Sequence, residues 1–127
     1  PKIPIRFVFD LSVNSCLSFS KVYSLCMPWS NSITDLTPLK GIHTLDIYKC
    51  TGITDLTPLK GIHTLYMNDC YYITDLTPLK GIHTLSMNYC PGITDLTPLK
   101  GVNTLYTEYS PRFADMSSLD ITTHYRR

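Results

Sequence analysis

Four residue types that can do chemistry recur in this chain at one fixed interval. Histidine stands at His43, His63 and His83, and cysteine at Cys50, Cys70 and Cys90. Aspartate stands at Asp35, Asp55, Asp75, Asp95 and Asp115, and lysine at Lys40, Lys60, Lys80 and Lys100. Each set suggests a chemistry, and in each the spacing argues against it. Thiolates that bind zinc converge in pairs a few residues apart, whereas here there is one per repeat. A row of imidazoles could hold a metal or sense pH, but no carboxylate column accompanies it within the same strand. Carboxylates that share acid–base work differ in environment, and these are copies of one environment. His43 with Cys50 is no base–nucleophile pair, because it recurs three times with its thiol at a core position. There is no Gly-rich phosphate loop, no G-x-S-x-G elbow and no CxxC pair. The expectation is therefore no catalytic residue, no metal ligand and no cofactor. The thiols should be buried and inert, the imidazoles should flank a sheet, and the aspartates should accept backbone N–H bonds at turns.

The elements that position these columns follow from the repeat itself. ITDLTPLKGIHTL runs over 33–45, 53–65 and 73–85, and returns as ITDLTPLKGVNTL over 93–105. The period is 20 residues without insertion, and weaker copies extend the register from Val13 to Leu119. Within one unit, Leu65 and Met67 are two apart, which is strand spacing. Ile53, Leu56, Leu59 and Ile62 are three apart, which suits a 3₁₀ turn. In Thr57-Pro58-Leu59-Lys60-Gly61, Thr57 is placed to cap, Pro58 fits the first turn and Gly61 a left-handed stop. Identical coils stack strand on strand, at ~4.8 Å per coil. The apolar side chains of one coil cannot offset the entropy of ordering it, so each coil depends on its neighbours. Residues 1–12 read as a degenerate N-terminal coil or cap, 13–119 as the array and 120–127 as a C-terminal end.

Composition narrows the partners. The 127 residues carry 11 Lys plus Arg and 10 Asp plus Glu, a net charge of +1 with histidine neutral. That balance offers no footprint for nucleic acid or an anionic membrane. A hydrophobic fraction of 43% with 17% charged is a folding composition, and no stretch is long and apolar enough for a transmembrane helix. Five cysteines cannot all pair within one chain, and no Asn-x-Ser/Thr sequon occurs. Both point toward an intracellular setting. A start at Pro1 and an end in Tyr125-Arg126-Arg127 suggest a piece of something longer.

Ile42-x-x-Leu45-x-Ile47-x-x-Cys50-x-x-Ile53 resembles the leucine-rich repeat pattern, and the match returns from Ile62, Ile82 and Val102. ITDLTPLKGIHTL with its following cysteine is similar to the short cysteine-bearing repeats of amoebal giant viruses, and more loosely to internalin-type repeats. The resemblance implies an α/β solenoid of 20-residue coils. A parallel β-sheet would form its concave face, with short 3₁₀ turns or extended segments on the convex face. It also implies non-catalytic protein–protein interaction through the concave face, in a viral protein of the host cytoplasm or virion. Two alternatives accompany it: a structural or virion-associated solenoid that self-associates, and the substrate-recognition part of an F-box-type ubiquitin ligase adaptor. No F-box-like segment is visible, and Ser110 and Thr107 break the pattern of the fourth copy.

Strand alternation assigns the faces. Leu45, Leu65, Leu85 and Leu105 point inward together with Ile47, Met67, Met87 and Thr107. The positions between and after them differ in almost every copy, whereas ITDLTPLK is identical in four. Scaffold demands are equal in every coil, so the variable columns are where selection for a partner can act. The expected partner-binding residues are Trp29, Asp46, Tyr48, Lys49, Tyr66, Asn68, Asp69, Tyr71, Tyr72, Asn88, Tyr89, Tyr106, Glu108 and Tyr109. Tyrosine offers large contact area with little entropy to lose and is favoured at interfaces. Strand preference accounts for some of these tyrosines but not for the loop pair Tyr71-Tyr72.

Overall fold

A computed structural model describes residues 3–4, 22–108 and 123–125, with side chains over 23–108. The weaker outer copies before Val22 and after Glu108, together with Cys16, Tyr109 and Asp115, lie outside the described residues.

The 20-residue period winds the chain into stacked coils, a solenoid-like repeat. Among the described residues, seven short strands appear in order: β1 (Ile3–Pro4), β2 (Val22–Cys26), β3 (Thr44–Asp46), β4 (Thr64–Tyr66), β5 (Thr84–Ser86), β6 (Thr104–Tyr106) and β7 (Thr123–Tyr125). They form one all-parallel sheet whose order follows the chain. From β2 to β6 the three paired residues of each strand meet their own copies, as in Leu25↔Leu45, Leu45↔Leu65, Leu65↔Leu85 and Leu85↔Leu105. The outer pairings slip: Ile3 meets Val22 but Pro4 meets Ser24, and Thr104 meets Thr123, one residue short of the repeat.

Each return path carries a 3₁₀ turn, at Thr37–Leu39, Thr57–Leu59, Thr77–Leu79 and Thr97–Leu99. Proline near the start supplies a fixed φ and lacks an N–H that would go unsatisfied there. The threonine does not cap, contrary to expectation. It is the first residue of the turn, and the preceding leucine occupies the cap position without a side-chain bond. The acceptor comes from two residues upstream. Asp35, Asp55, Asp75 and Asp95 each accept the backbone N–H of the following threonine at 2.8 Å. Asp35 also accepts the Thr37 hydroxyl at 2.6 Å. Beyond each turn, Gly41, Gly61, Gly81 and Gly101 take φ of +83° to +86°, the left-handed stop that a side chain would strain.

The core lies between sheet and 3₁₀ turns. Leu45, Ile47, Cys50, Ile53, Leu56, Leu59 and Ile62 are all buried, and the same columns are buried in the other described coils except at Ser30 and Leu96, which are half-buried. Thr107, in the place of Met87, is buried too. The cysteine column has a definite task. The Cys50, Cys70 and Cys90 thiols donate to the carbonyls of Met27, Ile47 and Met67 in the preceding coil at 3.0–3.1 Å. Each thiol thus ties two coils together through a bond to a backbone carbonyl. Burial pushes the Cys70 thiol up to about 12 and the Cys90 thiol up to about 11, and raises Cys50 as well.

Histidines form a second ladder, at the start of the strands. Tyr23 stacks on His43 at 4.1 Å between ring centroids, and His43–His63 and His63–His83 follow at 4.4 Å each. Each imidazole Nδ1 lies 2.9–3.0 Å from the hydroxyl of the next threonine. Among the described residues, no helix is long and apolar enough to cross a membrane.

Two outcomes follow. The threonine hydroxyl and then the threonine N–H hold Asp35, Asp55, Asp75 and Asp95 below the usual carboxylate range. A carboxyl whose folded pKa is depressed stabilises the fold above its unfolded value, ~3.9, and loses that contribution as pH falls through the folded value. The melting temperature should therefore drop below about pH 4. Asp→Asn at all four positions, which keeps an acceptor but removes the titration, should flatten that drop in thermal melts from pH 5.5 to 2.5. Separately, a disulfide reagent at pH 8 should leave Cys50, Cys70 and Cys90 unmodified until denaturant is added, because only the thiolate reacts. Mass spectrometry of the labelled peptides reads this directly, and labelling of any of the three in the native state would contradict the buried ladder.

Candidate binding surface

Inward leucines leave the alternate strand residues on the outer face of the sheet. The first outward column is Cys26, Asp46, Tyr66, Ser86 and Tyr106. Tyr66 is exposed, Cys26, Asp46 and Tyr106 are half-buried, and Ser86 is buried. The Cys26 thiol lies 3.5 Å from Asp46 Oδ2. Asp46 Oδ1 accepts the backbone N–H of Tyr48 at 3.0 Å, so both its oxygens are engaged.

The next column opens the turn that follows the strand. Tyr48, Asn68, Asn88 and Glu108 are all half-buried. Asn68 Oδ1 accepts the Ser86 hydroxyl at 2.7 Å and the Asn88 backbone N–H at 2.9 Å. Asn88 Oδ1 in turn accepts the Glu108 backbone N–H. These two asparagines bracket one coil to the next, a structural duty that residue type alone does not reveal.

Trp29, Lys49, Asp69 and Tyr89 come next, and here the strand alternation misleads. Strand pairing ends at Cys26, Asp46, Tyr66 and Ser86, and this column sits in a left-handed turn with φ of 65°, 57°, 60° and 56°. The conformation costs an L-residue about 1–2 kcal/mol. It is held by the inter-coil ladder, which continues through the corner. The N–H groups of Trp29, Lys49, Asp69 and Tyr89 donate to Tyr48, Asn68, Asn88 and Glu108 carbonyls at 2.8–3.2 Å. No glycine marks this turn, so the sequence gives no sign of it.

The corner carries a cluster of rings. Trp29 meets Tyr48 edge-on, with centroids 5.6 Å apart and planes at 85°. The Lys49 ammonium lies 4.2 Å from the Trp29 ring centroid and 5.4 Å from that of Tyr48. Along the same edge, the Tyr71 hydroxyl donates to Asp69 Oδ1 at 3.1 Å, which raises the phenol above its ordinary range. Tyr72 is 63% exposed and Trp29 62%. Tyr72 stands where two other coils have Gly52 and Gly92. A Cβ on Gly52 would fall 2.5 Å from the Asn31 carbonyl oxygen, so that column leaves little room for side chains.

Five large hydrophobic side chains are exposed among the described residues, namely Trp29, Tyr66, Tyr71, Tyr72 and Tyr89. All five lie in the outward columns or the loop just after them, among the residues picked from the sequence. Asp46, Asn68 and Asn88 share that edge but spend acceptors on backbone. On the opposite side, the 3₁₀ turns leave a shallow groove lined by Thr57, Lys60, Asp75, Thr77, Pro78 and Lys80. Its residue types recur in every coil, so it presents no distinct constellation. Among the described residues, no group of three or more His, Cys, Asp or Glu is placed to hold a metal ion. The sequence matches no protein-family model, and a search of curated proteins finds no match.

Proposed function

We propose that this chain is a leucine-rich repeat module that binds another protein, without catalysis, through the outer face of its sheet and the aromatic edge beside it. The observation that carries this reading is where the exposed large hydrophobic residues fall. All five in the described part of the chain sit on the outer sheet face or at the corner beside it, and none sits among the 3₁₀ turns. Rings left in water on one side of an otherwise well-packed solenoid are the composition of an interface core. The left-handed corner adds to this. Glycine, asparagine or aspartate would suit it, yet three of the four described coils hold tryptophan, lysine and tyrosine there, and only Asp69 fits. Backbone preference does not select those three side chains.

Random-peptide display offers a test that needs no knowledge of the natural partner. Clones selected on the wild-type protein should lose binding to the Trp29→Ala/Tyr66→Ala/Tyr72→Ala variant, while the melting temperature stays within about 4 °C, a shift of roughly 1 kcal/mol in a domain of this size. Tyr106 is left intact because it is half-buried. Selection that yields no clones, or clones that bind both proteins equally, would overturn the proposal.

A further inference from the structure

The aromatic edge differs from the rest of the molecule in sign of charge as well as in ring content. Among the described residues, the 3₁₀ side sets Asp35, Asp55, Asp75 and Asp95 against Lys40, Lys60, Lys80 and Lys100, one for one. The outer face sets Asp46, Asp69 and Glu108 against Lys49 alone. None of those three carboxylates forms an ion pair among the described residues. Asp46 is consumed by its own coil and by Cys26. Asp69 receives only the Tyr71 hydroxyl, at 3.1 Å.

Lys49 sharpens the point. It is the neighbour of Asp69 in the left-handed column, so an ion pair lies within easy reach of its long side chain. Instead its ammonium sits over the Trp29 ring at 4.2 Å. A cation is attracted to the face of an exposed ring, and here the chain's own cation has taken that place. The edge therefore offers ring faces that accept a cation, beside carboxylates that have none. Arginine satisfies both at once, because its planar guanidinium stacks on rings and forks onto carboxylates. Phosphate is repelled by the same carboxylates, and a purely apolar partner would desolvate them unpaired. The column from residue 29 to residue 89 spans three inter-strand steps, ~14 Å, about the reach of four extended residues.

We propose that the aromatic edge takes an extended, arginine-bearing segment of a partner protein, with guanidinium groups stacking on Trp29 and the exposed tyrosines and pairing with Asp69 and Glu108. Lys49 is then the resident cation that an incoming guanidinium displaces. The proposal rests on the protein-binding reading above and specifies its partner.

Trp29 is the only tryptophan in the chain, so its fluorescence reports on the site directly. The probe is a twelve-residue peptide with four arginines spaced by Gly and Ser, set against the same peptide with glutamate for arginine. The arginine peptide should shift Trp29 emission in a saturable, salt-sensitive way, and the glutamate peptide should not. Asp69→Asn/Glu108→Gln should weaken the arginine peptide by about fivefold or more, the scale of ~1 kcal/mol. Lys49→Gln should tighten it by about twofold or more, by vacating the ring. Equal response to both peptides, or an affinity that neither variant changes, would overturn the proposal. If the arginine peptide fails while display-selected clones still shift Trp29 emission, the basic-segment assignment falls and the binding surface stands. If neither shifts it, both fall.

Discussion

Coil closure in 20 residues is the constraint from which everything else in this molecule descends. Each strand is only three residues long from β3 to β6, too short to hold a sheet by itself. What holds it is that every coil returns its backbone to the same phase. Leu45 then pairs with Leu65 and Leu65 with Leu85, and the inter-coil ladder runs from the histidine column through the strands to the left-handed corner. A one-residue slip in the pairing of a strand would put its inward leucine outside. The four copies of ITDLTPLK are identical because each solves the same closure problem.

Exact phase has a consequence that an ordinary globular fold avoids. Every residue sits beside its own copy, so each column must tolerate itself. Leucines and isoleucines do so by packing. Histidines do so by stacking their rings at 4.4 Å. Cysteines do so by donating to a carbonyl 23 residues back instead of facing one another. Aspartates, the hardest case, turn each carboxylate onto the threonine two residues ahead. That local bond favours the charged form and outweighs the repulsion from the neighbouring aspartate. These columns looked like candidate chemistry in the sequence, and the structure makes them the means by which a repeat lives next to itself.

The scaffold was legible in the sequence because its signals are local and repeated. Spacing of two gave the strands, spacing of three the turns, and Gly61 the left-handed stop. The cap was misassigned because Thr57 and Asp55 are both good acceptors, and only geometry shows that the aspartate reaches the N–H. The edge was legible in part. Its exposed rings could be named because residues that differ between copies are those the scaffold does not dictate, although only Tyr66 among them lies in a strand. The asparagine brackets could not, because Asn68 Oδ1 to Asn88 N is a contact between coils that no local pattern encodes. The left-handed corner was hidden for a different reason. Its backbone is held by the inter-coil ladder, so the turn forms without the glycine that would ordinarily announce it.

That corner also shows how scaffold and surface divide the sequence between them. Two left-handed positions exist in each coil. One, at Gly41, Gly61, Gly81 and Gly101, has open space around the missing Cβ and still uses glycine every time. Backbone preference alone decides that position. The other, at Trp29, Lys49, Asp69 and Tyr89, has φ of 56–65° and never uses glycine in the described coils. That is inside the small left-handed region an L-residue can reach, whereas 83–86° lies beyond it. The glycine position is therefore closed to side chains by the backbone, and the corner position is open to them at a modest cost. What fills the corner is left to the surroundings of the side chains, a cluster of rings and charges at the sheet edge. The scaffold thus fixes one left-handed residue in every coil and leaves the identity of the other free to vary.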